Sequence, residues 1–195
     1  GAGDNAGIGL AERVDGQWLR RSDPILAPEQ DWESGMLAHP SLLVEKDLGR
    51  TLLFYVAGEN RAAIGVAASD MDAVVFERLS QTPVFEPQPW NDTTFLPLSG
   101  ASAYLSFSPL GRPIYGIYYS RQGAIGYAAG FEPTHFDELQ VNPLLEQSGY
   151  NLEGPMRAGD YLFHSRNLKQ YNPSKGRVIG AATFSKVLSL DLFIE

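Results

Sequence analysis

The chain has no cysteine. Disulfides, thiolate catalysis and cysteine-ligated zinc or iron–sulfur sites are therefore excluded, while the redox compartment stays open. Only three histidines occur, and His39, His135 and His164 lie too far apart in sequence to give a zinc-ligand pattern. Basic residues are scarce. Fifteen Lys and Arg against 23 Asp and Glu leave a net charge of −8, and no basic run exceeds Arg20-Arg21. That disfavours nucleic acid, which needs a basic footprint. No window approaches about 18 consecutive apolar residues, so no membrane-spanning helix is expected, and no signal peptide is visible. No GxSxG elbow or P-loop occurs, and Asp70-Met71-Asp72 lacks the remaining ligands of a calcium loop.

What is present is the composition of a globular protein: 44% of the 195 residues are apolar and 19% charged, too apolar for a disordered chain. The length allows one domain or two small ones. Twenty Gly and thirteen Pro suit many short strands joined by tight turns.

One tetrapeptide recurs. Ile8-Gly9-Leu10-Ala11, Ile64-Gly65-Val66-Ala67, Ile125-Gly126-Tyr127-Ala128 and Ile179-Gly180-Ala181-Ala182 are spaced by 56, 61 and 54 residues. Each is followed 10 to 12 residues beyond its Ile by an apolar residue: Trp18, Phe76, Phe136 and Leu190. In the first three copies a proline and two apolar residues come next: Pro24-Ile25-Leu26, Pro83-Val84-Phe85 and Pro143-Leu144-Leu145. Self-similarity at such a period marks a repeat architecture.

The second copy reads as four short strands, over His39–Val44, Thr51–Ala57, Ala63–Ala68 and Val74–Leu79. Each is too short for a helix and is bounded by turn residues. The third reads alike over Ala103–Phe107, Ile114–Tyr119 and Ala124–Ala128, with a fourth strand beginning at Phe136. The last runs through Gly154–Arg157, Tyr161–His164, Val178–Ala182 and Leu188–Leu192, with Asn167–Ser174 as a longer loop. A repeated four-stranded antiparallel meander is what a β-propeller blade looks like. The expected fold is an all-β propeller with an outer half-blade over residues 1–30 and blades over 37–88, 98–147 and 153–195. Open sheet edges are removed in propellers by closing the ring. The expectation is therefore a five-bladed propeller, completed upstream of Gly1 or by a partner chain, with a closed four-bladed ring as the alternative. The Gly of the tetrapeptide is read as a position where neighbouring sheets approach closely.

Propeller ligands bind in the axial funnel, reached by the first strand of each blade and the loop before it. Those lead-ins span 31–40, 90–102 and 150–157, and each carries an aromatic residue: Trp32, Trp90 and Tyr150. Aromatic rings with polar neighbours suit stacking on sugar faces, or they cap the apolar core between blades. His39 would touch a substrate or a Ca²⁺ near the axis, or be a hydrogen-bonded structural residue.

The pattern resembles the five-bladed propellers of the arabinanase, xylosidase and fructosidase glycosidases, the glycoside hydrolase family 43 type and its relatives. The resemblance rests on a polar residue and Pro leading into the first strand, a Tyr-Tyr second strand, the IGxA strand and the trailing Pro with apolar residues. It implies three carboxylates at the starts of successive first strands: a base or nucleophile, an Asp that positions substrate, and a Glu general acid in a Glu-Gly-Pro context. Glu153-Gly154-Pro155 matches the last, ahead of Tyr161-Leu162-Phe163. Glu153 would then be the acid, kept protonated near neutral pH by burial and acidic neighbours. The other two positions carry no carboxylate: His39-Pro40 stands where the family has Asp-Pro, and Ser99-Gly100-Ala101-Ser102 leads the blade between. Asp31, Glu33 and Asp92 are candidate substitutes lying upstream of the matching positions. Glycoside hydrolysis needs a carboxylate pair, and one of three is in place.

The resemblance further implies an oligosaccharide ligand, no cofactor or resident metal (a structural Ca²⁺ is not indicated), and an extracellular or periplasmic location. Around Glu153 the substrate-contacting set would be Trp32, His39, Trp90, Ser102 and Arg157, with Arg157 either meeting an acidic sugar or pairing with Glu153. Two readings follow. One is a glycoside hydrolase-like propeller that binds or hydrolyses an oligosaccharide; the other is a binding or scaffold propeller without catalytic carboxylates.

Overall fold

The computed structural model describes residues 6–58, 63–88, 98–148, 150–158, 161–168 and 178–183. The chain divides into two compact units, Gly1–Pro87 and Gln88–Glu195. Among the described residues there are strands and two single 3-10 turns but no α-helix.

The first unit begins with a hairpin, β1 (Ala11–Val14) and β2 (Gln17–Arg20). Asp15 and Gly16 both have positive φ, 50° and 84°, the conformation that a tight two-residue hairpin turn demands and that Asp-Gly supplies. A four-stranded antiparallel sheet follows, in the order β3 (Leu37–Glu45), β4 (Arg50–Ala57), β5 (Ala63–Asp70) and β6 (Glu77–Arg78). Strand β4 is buried from Thr51 to Ala57, so its run of β-branched, aliphatic and aromatic residues faces apolar surroundings on both sides. Its inward side joins Ile8, Leu26, Leu37, Leu53, Tyr55, Ala67 and Phe76 in one core.

The second unit repeats the meander as β7 (Ala101–Phe107), β8 (Pro113–Arg121), β9 (Ala124–Glu132) and β10 (His135–Glu138). Three further strands, β11 (Tyr150–Ala158), β12 (Tyr161–Leu168) and β13 (Val178–Thr183), form a second antiparallel sheet. Strand β11 lies against β7, β8 and β9, and the core between the two sheets holds Ile114, Tyr118, Ile125, Tyr127, Leu139, Leu152 and Leu162. The fold is thus all-β, built from four-stranded antiparallel propeller blades.

The trailing prolines lead into one recurrent contact. Ile8 bridges Leu26, Ile64 bridges Phe85 and Ile125 bridges Leu145. In the two full blades the chain turns back after its fourth strand and pairs with the second residue of the third. The fourth strand of the first unit is Glu77–Arg78 rather than Val74–Leu79. Asn167 and Leu168, expected in a loop, continue β12, because β11 starts early enough to pair them with Asn151 and Tyr150.

The close approach at the repeated Gly is also of a different kind. Gly65 faces Tyr55 on the neighbouring strand of its own sheet, and a Cβ there would sit 2.5 Å from the Tyr55 hydroxyl. The glycine leaves room for a tyrosine lying across the sheet, rather than for a second sheet. The next blade repeats the pairing as Tyr119 opposite Gly126, and the last as His164 opposite Gly180.

Candidate functional site

In the first unit the most unusual residue is a carboxylate with no solvent exposure, Glu33. It ends the 3-10 turn Asp31–Glu33 ahead of β3. Burying a lone carboxylate costs several kcal/mol, and here five donors offset that cost. Tyr55 Oη donates to Oε1 at 2.8 Å, and Arg78 donates through Nε to Oε1 and Nη2 to Oε2, both at 2.8 Å. The amides of Glu29 and Gln30 donate to Oε2 at 2.7 and 3.1 Å. Burial would raise the Glu33 pKa; the hydrogen bonds from Arg78, the two amides and Tyr55 outweigh it and hold the carboxyl below its ordinary value. A carboxylate offers about four lone-pair sites, so none is left for a substrate. Glu33 ties the lead-in loop to β4 and β6. The neighbouring Tyr55 hydroxyl is pushed up by burial and by the Glu33 charge.

The same second-strand tyrosine is anchored in the second unit by another carboxylate. Tyr119 Oη donates to Glu138 on β10, and Asn142 Nδ2 adds bonds to Tyr119 Oη at 3.2 Å and to the Tyr127 carbonyl at 2.8 Å. The fourth-strand position facing the Ala of IGxA is Arg78 in one blade and Glu138 in the other. The anchor recurs, with its charges rearranged.

Glu153 lies on β11, opposite Ser165 of β12. The register slips by one residue between Glu153 and Met156, so Gly154-Pro155 forms a bulge, with Gly154 at φ 56°. Bulges re-aim side chains at the rims of sheets and beside active sites. This one is clamped to the adjoining blade. The Gly154 amide donates to Ser120 Oγ at 3.2 Å, the Leu152 amide to the Gly123 carbonyl at 2.8 Å, and the Arg157 amide to Ser102 Oγ at 3.4 Å. Ser120 has no exposure, and its hydroxyl shares a 2.9 Å bond with Ser99 Oγ. A Cβ on Gly100 would come within 2.7 Å of the Gly154 Cα, so the blade backbones meet in direct contact. The Ser165 hydroxyl donates to the Glu153 carbonyl at 3.2 Å, and the Arg157 guanidinium lies over the Tyr104 ring, 3.9 Å from its centroid. Tyr104 stacks with Tyr118 and Tyr127, at centroid distances of 5.4 and 6.1 Å. Glu153, Ser102 and Arg157 are therefore brought onto one inter-blade seam.

His39-Pro40 occupies a matching bulge of β3, between Ala38 and Ser41, and His39 takes φ 50°. By register its counterpart is Gly154, not Glu153. Glu153 pairs with the residue after His164, Ala38 with the residue after Tyr55, and the residue after Tyr119 is Ser120. Ser120 exchanges backbone bonds with Ser99 and Gly100. The counterparts of Glu153 are thus Ala38 and the Ser99-Gly100 pair, none of which carries a carboxylate. Trp32 is half-buried against the core of the first unit, its ring nearly parallel to Tyr55 at 6.2 Å. Asp31 is exposed at the start of its turn. Trp90 and Asp92 lie outside the described residues. Among the described residues no group of three or more His, Asp or Glu is placed to hold a metal ion. No helix among them is long and apolar enough to cross a membrane.

The Tyr55–Glu33–Arg78 anchor escaped the sequence reading, because Glu33 and Arg78 lie 45 positions apart. The only available signal was a carboxylate beside an aromatic residue, Trp32-Glu33, in the lead-in.

No family model matches the chain, and no curated protein does. Solved structures do. A glycosyl hydrolase from Bacteroides ovatus matches 93% of this chain with 58% of its own length, at 16% identity and a TM-score of 0.59. A glycoside hydrolase family 43 endo-arabinanase from Bacillus licheniformis matches 96% of this chain with 68% of its own, at 15% identity and a TM-score of 0.57. An α-L-arabinanase from Cellvibrio cellulosa, solved with arabinohexaose, matches 91% with 70% of its own, at 15% identity and a TM-score of 0.53. The chain spans less than two thirds of the Bacteroides protein. At these identities the likeness is one of fold: this chain has the propeller fold of glycoside hydrolases of the family 43 type.

Proposed function

We propose that this chain is the carbohydrate-directed part of a glycoside hydrolase-like propeller, taking a neutral oligosaccharide at the seam that carries Glu153. The observation that supports it most is the clamped bulge at Glu153-Gly154-Pro155, in a fold shared with arabinanases. Glu153 serves as a general acid or as a polar contact to the sugar, with Ser102 on β7 and Arg157 on β11 beside it.

Hydrolysis needs a second carboxylate at about 5–5.5 Å for retention or about 6.5–9.5 Å for inversion. The register counterparts of Glu153 are Ala, Ser and Gly, and Glu33 is saturated. None of these positions supplies the second carboxylate, and binding is the activity these residues support themselves. Titration calorimetry against neutral hexasaccharides of arabinose, xylose and mannose tests this reading. Binding that weakens at least tenfold in Glu153→Gln supports it; no heat with any of the three, or an unchanged affinity in the variant, removes it.

In this reading the half-blade over residues 1–30 pairs with further strands. Trp18 supports this, being 71% exposed on the two-stranded hairpin where Phe76 and Phe136 of the full blades are 6% exposed. The full ring is five-bladed in this reading, with blades over 37–88, 98–147 and 153–195, and the protein works outside the cell or in the periplasm.

A further inference from the structure

A second groove opens on the second unit, at the far end of the β7–β10 blade. The Glu153 seam meets this blade where β8 ends and β9 begins, at Ser120 and Gly123. The groove lies where β9 ends, around Gly130 and Phe131. Seven residues of strand separate Gly123 from Gly130, roughly 23 Å at about 3.3 Å per residue. The groove measures about 310 Å³, within the range of about 300–1,000 Å³ typical of small-ligand sites.

Its floor is bare by construction. Ala129 and Gly130 line it, and a Cβ on Gly130 would run into the His135 carbonyl. The wall is Phe131, 38% exposed, with the Arg112 guanidinium over its ring at 3.8 Å. The opposite rim is polar: His135 Nε2 stands 3.7 Å from Asp137 Oδ1, both well exposed. A register slip between His135 and Asp137 sets this rim apart from the sheet. Glu132 also lines the groove, so its carboxylates outnumber the Arg112 cation and a phosphate is disfavoured. Arg112 is set over an aromatic ring, and His135 stands beside Asp137. What the groove offers is an aromatic wall, a flat floor and mixed donors and acceptors, which match a neutral sugar with its apolar faces and hydroxyl edges.

We infer that this groove is a second carbohydrate subsite, holding a neutral oligosaccharide away from the Glu153 seam through Phe131, Arg112, His135 and Asp137. It goes beyond the proposed function, since it needs neither Glu153 nor hydrolysis. The test is amide chemical-shift mapping of the full chain titrated with the same arabinose, xylose and mannose hexasaccharides. With at least one of them, saturable shifts are expected at Gly130, Phe131 and Glu132. They should be lost, or need at least tenfold more sugar, in Phe131→Ala and in Asp137→Asn, and persist in Glu153→Gln. Both altered side chains are exposed, so unshifted core resonances will show that the fold is intact. Absence of shifts at these amides with all three sugars, or their persistence in Phe131→Ala, overturns the inference. Shifts around Glu153 and Ser120 report the other site separately, so either proposal can fail alone.

Discussion

At the scale of single residues, the chain stakes most on Glu33. Removing one partner of a buried ion pair leaves an uncompensated charge and typically costs about 3–5 kcal/mol. Arg78→Ala should therefore lose stability of that order in urea unfolding, and Glu33→Gln should lose a measurable part of it. The pH dependence has a definite sign. Because the folded Glu33 pKa lies below its ordinary value of about 4.3, its stabilisation is in place above that value. It is lost as pH falls through the folded pKa, so wild type should weaken on acidification more steeply than Glu33→Gln. Gly65→Ala would drive a methyl group into the Tyr55 ring, and overpacking of this kind costs typically about 1–3 kcal/mol. A melting temperature lowered relative to wild type checks it. The repeated Gly was legible as a tight spot because Gly in a strand signals close approach. What approaches it was not, since cross-strand partners follow from register, which the motif alone does not set.

At the scale of elements, the strand pattern was readable because local chemistry and fold agree. Thr51–Ala57 is an unbroken run rich in strand-formers and Ile114–Tyr119 is one interrupted only by Gly116, and both became inner strands. The trailing Pro-Val-Phe type segments were visible as repeats, but their bridges to Ile8, Ile64 and Ile125 were not, because single-residue bridges leave no periodicity. The bulges were equally hidden. Both His39-Pro40 and Gly154-Pro155 look like strand starts in sequence, whereas each is the extra residue within a longer strand. That one-residue offset makes His39 the counterpart of Gly154 and Ala38 the counterpart of Glu153. The seam makes a prediction of its own. Gly100→Ala should push β7 from β11 at the Gly154 Cα, lowering the melting temperature and weakening oligosaccharide binding together. Ser102→Ala, which removes only the acceptor for the Arg157 amide, should cost about 1 kcal/mol and leave the blade pairing intact.

At the scale of the whole molecule, the repeat carried the fold into view, and the acidic, cysteine-free composition narrowed the chemistry by exclusion. The proposed function rests on Glu153-Gly154-Pro155, because a fold shared by enzymes and binders leaves the site to decide. The aromatic lead-ins were a weaker guide: Trp32 rests on the core beside Tyr55, as a large apolar ring does when its own blade offers a place to bury it. The most direct measurement is a crystal structure of the chain soaked with arabinohexaose and, in parallel, with the xylose and mannose hexasaccharides. Sugar density within hydrogen-bond distance of the Glu153 carboxylate, absent from Glu153→Gln crystals, is the predicted result. Density confined to other surfaces, or none with any of the three, would contradict a carbohydrate site at the Glu153 seam.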